Sequence, residues 1–349
     1  MKHSSVRTLR SLPPRVLGHH PRERRLLIIG SGDVALRALP WLLQRFRVFA
    51  LCRSTESADA WRLAGACPVR GDLDDAPGLQ RLRGLGGRVL HTAPPATDHA
   101  GDARTQRLLA RLGSARMIPR ALVYISTTGV YGDRSGARVN ETNRLQPHNA
   151  RAKRRVCAER LQRHWVSQRA AEVPHGRPRR ALAPFHRPVS APALAILRAP
   201  GIYAAERLPL ARLRAGTPAL REEEDGYTSH IHADDLAKAA GLALFRGRAG
   251  RAFNVCDDSE LKMGDWFDRV ADAFGLPRPL RITRAEAEQR LPESLLSFMR
   301  ESRRLDNRRM KEELGLRLRY RTVDEGLAAA LERERVLPAV ADTGGRGGH

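Results

Sequence analysis

The chain has 349 residues, 42% apolar and 29% charged, enough for a sizeable buried core in one large or two modest domains and too apolar for a wholly disordered chain. No uncharged apolar stretch approaches the roughly 18 to 20 residues that cross a bilayer, and no apolar signal core lies near Met1, so a cytoplasmic protein without a membrane partner is expected. The net charge of +24 invites a nucleic-acid reading, but only five of the 62 basic residues are lysines and the arginines recur in almost every segment, which argues for solvated charge over a nucleic-acid stripe.

Residues 1–24 are basic and rich in Pro and Gly, without a sustained period, and read as a disordered extension. Their Arg-rich, acid-poor composition leaves an organellar transit peptide as the alternative, disfavoured because no strong amphipathic helix is visible. Order begins at Arg25-Leu-Leu-Ile-Ile-Gly30, a short apolar run of the kind buried on both faces of a parallel sheet. A helix is expected over Asp33 to Phe46, then a strand at Arg47–Cys52, a second helix, and strands at Cys67–Arg70, Arg88–Thr92 and Ala121–Ser126, the last two each preceded by a possible crossover helix. This rhythm predicts an α/β fold with a doubly wound parallel sheet.

Residues 25–192 form the expected dinucleotide-binding domain, with a Pro/Arg-rich loop over 174–192. Residues 193–338 hold the remaining strands, starting at Ala193–Arg198, and a smaller substrate-binding region in which Met263, Trp266, Phe267, Val270, Ala271 and Phe274 mark one helix face. The Gly-rich end, 339–349, reads as a disordered tail. Cys52, Cys67, Cys157 and Cys256 lack the close pairing of a zinc or redox site; each is expected to be a small buried hydrophobe, and no metal is called for.

Gly30-Ser31-Gly32-Asp33-Val34-Ala35 stands where the first strand meets the first helix. Gly30 makes the tight turn, Gly32 leaves room for a pyrophosphate against the backbone, the helix N-terminus offers free N–H groups, and Ala35 permits close packing. Asp33 would repel a pyrophosphate unless its side chain turns to cap the helix. At the end of the second strand, where an acid would receive the 2′-hydroxyl of NAD, the sequence has Arg53, a fork suited to a 2′-phosphate; NADP is therefore expected over NAD.

Further stretches are Gly71-Asp72-Leu73, His91-Thr-Ala93-Pro94-Pro95, Ile125-Ser-Thr127-Thr-Gly-Val-Tyr131-Gly132, Ile196–Tyr203, His230-Ile-His-Ala-Asp-Asp-Leu-Ala237, and Leu305-Asp-Asn307 with Glu313-Leu-Gly315. In order and spacing, residues 25–330 resemble the extended short-chain dehydrogenase/reductases, the NAD-dependent epimerase/dehydratase group. The resemblance implies a Rossmann-like domain with a smaller C-terminal substrate region, Asp72 and Leu73 at the adenine, Ala93 and Pro94 beside the cofactor, and Thr127 orienting the reacting carbonyl. It further implies a tyrosine that exchanges a proton and a lysine four residues later, but Pro147–Glu159 holds no tyrosine.

Anchoring on Lys153 places Asn149 at the tyrosine position; anchoring on Glu159, the slightly preferred register, places Arg151 and Arg155 in the pair. Neither amide nor guanidinium exchanges a proton near neutral pH. Tyr131 and His148 are candidate substitutes. His230 and His232, ahead of Asp234 and Asp235, are read as a strand end leading into a helix capped by one of the aspartates rather than as metal ligands. The expected activity is NAD(P)-dependent oxidoreductase or epimerase/dehydratase chemistry on a small or sugar-like carbonyl or hydroxyl substrate, with a homodimer as a possible assembly. The alternative is a catalytically impaired NADP-binding sensor or scaffold module.

Overall fold

The computed structural model describes residues 24–97, 101–115, 118–172, 192–248 and 250–341. The elements follow as β1 (Arg25–Ile29), α1 (Asp33–Leu43), β2 (Arg47–Cys52), α2 (Thr55–Leu63), β3 (Cys67–Arg70), β4 (Arg88–His91), α3 (Ala103–Gly113), β5 (Ala121–Thr127), β6 (Arg138–Val139) and the long α4 (Ala150–Ala171). Then come β7 (Ala193–Ala199), β8 (Gly201–Tyr203), α5 (Leu210–Arg214), β9 (Ala219–Leu220), β10 (Tyr227–Thr228), β11 (His230–His232), α6 (Ala233–Arg246) and β12 (Arg251–Asn254). The chain ends with β13 (Leu261–Lys262), α7 (Met263–Ala273), β14 (Arg281–Ile282), α8 (Arg284–Arg290), α9 (Glu293–Met299), β15 (Arg304–Leu305), α10 (Arg308–Glu312) and α11 (Val323–Ala341).

One parallel sheet runs in the order β12-β7-β5-β4-β1-β2-β3. Alternation along β1 explains its unbroken apolar run: Leu26 and Ile28 enter the core shared with α1 and α6, while Leu27 and Ile29 enter the opposite core under α3 and α4. Pro68, which cannot donate to a ladder, is tolerated because β3 is an edge strand paired with β2 alone. The winding reverses between β1 and β4, so a crevice opens beyond their C-terminal ends.

The C-terminal lobe closes over that crevice with its own core of Tyr203, Leu213, Trp266, Phe267, Val270 and Leu327. Short pairs stitch it together: β8 with β11, β9 with β14, β10 with β13, and β6 with β15.

Several expectations need correction. The crossover between β3 and β4 is a 3-10 segment, Pro77–Leu82, not a full helix; Gly78 and Gly84 within and after this stretch disfavour longer helix. Helix α1 stops at Leu43 rather than Phe46, and α11 continues to Ala341, so the helix-forming Ala339-Val340-Ala341 belong to it and not to a tail. Cys52 and Cys256 are buried, but Cys67, on the edge strand, and Cys157 are only partly so. The basic extension before Arg24 and nearly all of the 174–192 insert lie outside the described residues. Among the described residues no helix is long and apolar enough to cross a membrane.

Candidate active site

The crevice is a cleft of about 960 Å³. Its walls come from the β1–α1 turn (Gly32–Ala35), the segment after β4 (Thr92, Pro94, Pro95), the end of β5 (Thr127–Gly129), the start of α4 and the C-terminal lobe.

The two glycines of the first turn differ in their physical demand. Gly30 has φ +100°, and a Cβ there would lie 2.5 Å from both the Ala93 nitrogen and Thr92 Oγ1. The turn is packed against the end of β4, and Thr92 Oγ1 donates to the Gly30 carbonyl at 2.6 Å. A Cβ on Gly32 would meet nothing within 4 Å. Gly32 is also the N-cap of α1 and makes no side-chain cap, so the first-turn N–H groups face open space at the positive end of the helix dipole. Ser31 ties this loop to α2, with Oγ 3.1 Å from Ser57 Oγ and its carbonyl accepting from Trp61 Nε1 at 3.2 Å.

Asp33 is not the cap that its position suggested. Its carboxylate accepts from Arg37 Nε at 2.8 Å, one helical turn on, and pairs with Arg207 Nη1 at 3.3 Å. Two guanidinium groups outcompete the local backbone for it, and they neutralise the charge that would oppose an anion at the turn.

Arg53 stands exposed just past β2, with no hydrogen bond to its side chain among the described residues. Arg70 lies on the neighbouring strand end, opposite Cys52. Asp72 closes a turn by accepting from the Asp74 N–H at 3.0 Å, while Leu73 is buried in the core beneath. Ala93 is nearly buried and Pro94 exposed on the cleft wall.

Across the cleft, Thr127 ends β5 and accepts from the Gly129 N–H at 3.3 Å, the N-cap of a 3-10 turn. Arg151 and Arg155 both line the cleft, whereas Lys153 between them is exposed and does not. Arg155 Nη1 donates to Tyr124 OH at 2.9 Å and to the Ile125 carbonyl at 2.8 Å; burial pushes the Tyr124 phenol up to about 12, so it is a neutral hydrogen-bonding partner. Asn149 lines the cleft too, capping α4 through the Ala152 N–H at 2.9 Å.

The two proposed substitutes for the tyrosine are not in the cleft wall. Tyr131 is fully buried, donates to Asn254 Oδ1 at 2.7 Å and accepts from Arg198 Nη1 at 2.9 Å. Arg198 in turn forms a buried pair with Glu159 at 2.7 Å. Burial pushes the Tyr131 phenol up to about 12, which makes it a packing and hydrogen-bonding residue. His148 is exposed outside the cleft.

The β11–α6 junction also differs from expectation. His232, not an aspartate, is the N-cap: its Nδ1 accepts from the Asp234 N–H at 3.2 Å. Asp234 instead takes Arg37 at 2.6 Å, and Asp235 pins the segment before α11 by accepting from the Arg319 and Tyr320 N–H groups at 2.8 and 2.9 Å.

Residues not anticipated come from the C-terminal lobe. Glu301, its side chain 9% exposed, accepts from Asn149 Nδ2 at 3.1 Å and from Arg303 Nη1 at 2.7 Å. Glu301 and Asp33 are the carboxylates on the cleft wall among the described residues. The partners lie 152 positions apart in a segment without periodicity, so no local pattern marks them.

The NAD dependent epimerase/dehydratase family matches residues 41–256, more than half of the chain. The chain belongs to this family. Its fold is shared with solved structures over most of its length. A functionally unknown conserved protein from Silicibacter pomeroyi is 28% identical, with a TM-score of 0.67 over 88% of this chain and 98% of that one. UDP-glucose 4-epimerase from Thermotoga maritima, solved with UDP-glucose, is 16% identical, with a TM-score of 0.68 over 90% and 99%. MoeE5, in complex with UDP-glucose and NAD, is 20% identical, with a TM-score of 0.63 over 90% and 99%. The last two likenesses establish the fold. A search of curated proteins gave no match. Helix α4 contains no tyrosine; Asn149, its N-cap, and Arg151 and Arg155 of its first turns line the cleft.

Proposed function

We propose that this family member is an NADP-preferring oxidoreductase or epimerase acting on a small or sugar-like carbonyl or hydroxyl substrate in the cytoplasm. The observation that carries this reading is the uncapped N-terminus of α1, opening through Gly32 onto a cleft whose far wall holds Thr127 and Arg155. A dinucleotide fits these residues: the Gly30–Val34 turn receives the pyrophosphate, Asp72 and Leu73 flank the adenine, and Ala93 and Pro94 line the path to the nicotinamide. Arg53 receives the 2′-phosphate, with Arg70 beside it. The NAD and UDP-glucose named for the structural neighbours support the same ligand chemistry.

A bound nicotinamide coenzyme supplies the hydride donor and acceptor. The protein's part is to hold the reacting oxygen and move its proton. Thr127 hydrogen-bonds that oxygen, and the charge of Arg151 stabilises negative charge developing on it. Arg155, fixed by Tyr124 and Ile125, keeps its remaining N–H groups for the nicotinamide ribose. Neither arginine takes the proton, because guanidinium stays charged. Glu301 takes it when a hydroxyl is oxidised and returns it when a carbonyl is reduced: it is the carboxylate hydrogen-bonded to the N-cap of α4, where the family tyrosine belongs.

The test is NADPH oxidation across a carbonyl panel, with Glu301→Gln beside the wild type. Turnover lost in Glu301→Gln with unchanged NADPH affinity supports the assignment; equal turnover removes Glu301 from it. A second reading, a coenzyme-binding module without hydride chemistry, is favoured by the burial of Tyr131 away from the cleft. Tight NADPH binding with no turnover on any substrate selects that reading.

A further inference from the structure

Arginines that look scattered along the sequence are gathered by the parallel topology. Because the strands of the large sheet all point one way, their first residues share the edge opposite the cleft. There β1, β2, β4 and β12 begin with Arg25, Arg47, Arg88 and Arg251, and Arg120 immediately precedes β5. Register sets Arg25 beside Arg47 and Leu26 beside Arg88, so adjacent strands present these residues in a row. No strand of this sheet begins with a carboxylate, and Asp33, Asp72 and Asp74 all lie past the opposite strand ends. Arg251 pairs with Glu313, whereas Arg25, Arg47 and Arg45, the last just past α1, have no carboxylate partner among the described residues.

Aromatic rings lie among these charges. Arg25 and Arg47 sit 5.9 and 5.3 Å from the Phe49 ring centroid. On the face covered by α1 and α6, Arg45 lies 4.0 Å from the Trp41 ring, and Arg88 lies 5.6 and 5.1 Å from Phe46 and Phe245, which stack at 5.4 Å. Phe245 is 48% exposed, and Arg45 and Arg47 are exposed as well. A row of uncompensated guanidinium groups repels itself, and a polyanion relieves that repulsion while releasing its own counterions. Guanidinium forks meet phosphates at two points, and bases stack on ring faces and guanidinium planes. A duplex hides its base faces and an anionic membrane has none, so the interleaved rings favour a single strand.

We propose that this arginine and aromatic edge binds single-stranded nucleic acid, through phosphate contacts and base stacking, on the side of the sheet away from the coenzyme cleft. From β5 to β2 the row crosses three strand spacings, roughly 14 Å, enough for about three or four phosphates. Each phosphate neutralised on a single strand adds about −0.7 to the dependence of log affinity on log salt, so a slope of about −2 to −3 is expected. The proposal stands apart from the coenzyme assignment.

The experiment uses the full chain and follows, by fluorescence anisotropy across a salt series, a labelled oligothymidylate of about 15 nucleotides. A duplex of the same length and vesicles of phosphatidylcholine with phosphatidylserine are measured beside it. The wild type should bind the single strand more tightly than the duplex. The double variant Arg45→Gln/Arg47→Gln should bind it roughly tenfold or more weakly, with a slope shallower by about 1 to 1.5, and Phe245→Ala should bind it roughly tenfold more weakly at an unchanged slope. Saturating NADPH should leave the oligonucleotide affinity unchanged. Undiminished binding by the double variant overturns the proposal, because the charge used then lies elsewhere on the chain. Competition with NADPH overturns it by moving the strand into the cleft, and so does a wild type that prefers the duplex or binds the vesicles but not the oligonucleotide.

Discussion

Replacing each glycine of the first turn by alanine separates folding from coenzyme binding. At Gly30 the new Cβ would sit 2.5 Å from the Ala93 nitrogen and 2.9 Å from its Cα, backbone atoms that cannot swing away, at φ +100°. Left-handed strain of roughly 1–2 kcal/mol and overpacking of about 1–3 kcal/mol add to about 2–5 kcal/mol lost from the unfolding free energy. At Gly32 the backbone (φ −91°, ψ −178°) suits any residue and the new methyl meets nothing within 4 Å. Gly32→Ala should leave stability unchanged or raise it by up to about 1 kcal/mol, because the unfolded chain loses freedom. That same methyl fills the space a pyrophosphate needs. Losing one charge-assisted N–H contact, about 1.5–3 kcal/mol, weakens NADPH roughly 10- to 100-fold. Urea unfolding and fluorescence titration of both variants provide the assay. A Gly32→Ala protein that binds NADPH as tightly as the wild type, or a Gly30→Ala protein of undiminished stability, would refute the reasoning.

Tyr131→Phe removes the hydroxyl between Asn254 and Arg198 and should cost about 1–3 kcal/mol by urea unfolding while leaving NADPH affinity intact. Unchanged stability with lost turnover would return Tyr131 to catalysis. Arg53→Ala should lower NADP+ affinity roughly tenfold or more and leave NAD+ affinity alone, read by calorimetry. Two opposed pH effects are expected. His91 and His230, each pushed down to about 3 by burial, are protonated more readily when unfolded, so their contribution is complete above the ordinary 6.5 and is lost as pH falls, about 1.4 kcal/mol each by pH 5.5. Asp257, pushed up to about 8 by burial, holds its proton in the fold, so its contribution is lost as pH rises from about 4 towards 8. Asp257→Asn should therefore uncover acid lability below about pH 6.5, and His230→Phe should steepen the loss of stability as pH rises from about 4 to 6.5, with the slope from 6.5 to 8 unchanged, both seen in urea midpoints across pH.

The sheet was legible because β1, β2, β4, β5 and β7 are buried on both faces, and a short apolar run bounded by glycine or polar residues has few other uses. The crossover after β3 was not, since Pro77 and Gly78 permit a 3-10 turn where the rhythm suggests a helix. Motif position put Thr127, Arg151 and Arg155 on the cleft, while Tyr131, offered only as a substitute acid, is carried by the 3-10 turn after Thr127 into the core between Arg198 and Asn254. Asp33 and the β11–α6 aspartates went astray for a related reason. Local capping rules weigh only nearby N–H groups, whereas Asp33 is claimed by Arg37 one turn on and by the distant Arg207, Asp234 by the distant Arg37, and Asp235 by the distant Arg319 and Tyr320 N–H groups. Glu301 enters the site through tertiary packing of an irregular lobe, which leaves no period or spacing to read.

Titration calorimetry of the wild-type chain with NADPH and with NADH tests the coenzyme assignment most directly. Saturable heat with NADPH, at tighter affinity than with NADH and abolished or strongly weakened in Gly32→Ala, is the predicted result. No heat with either coenzyme would contradict the account at its root.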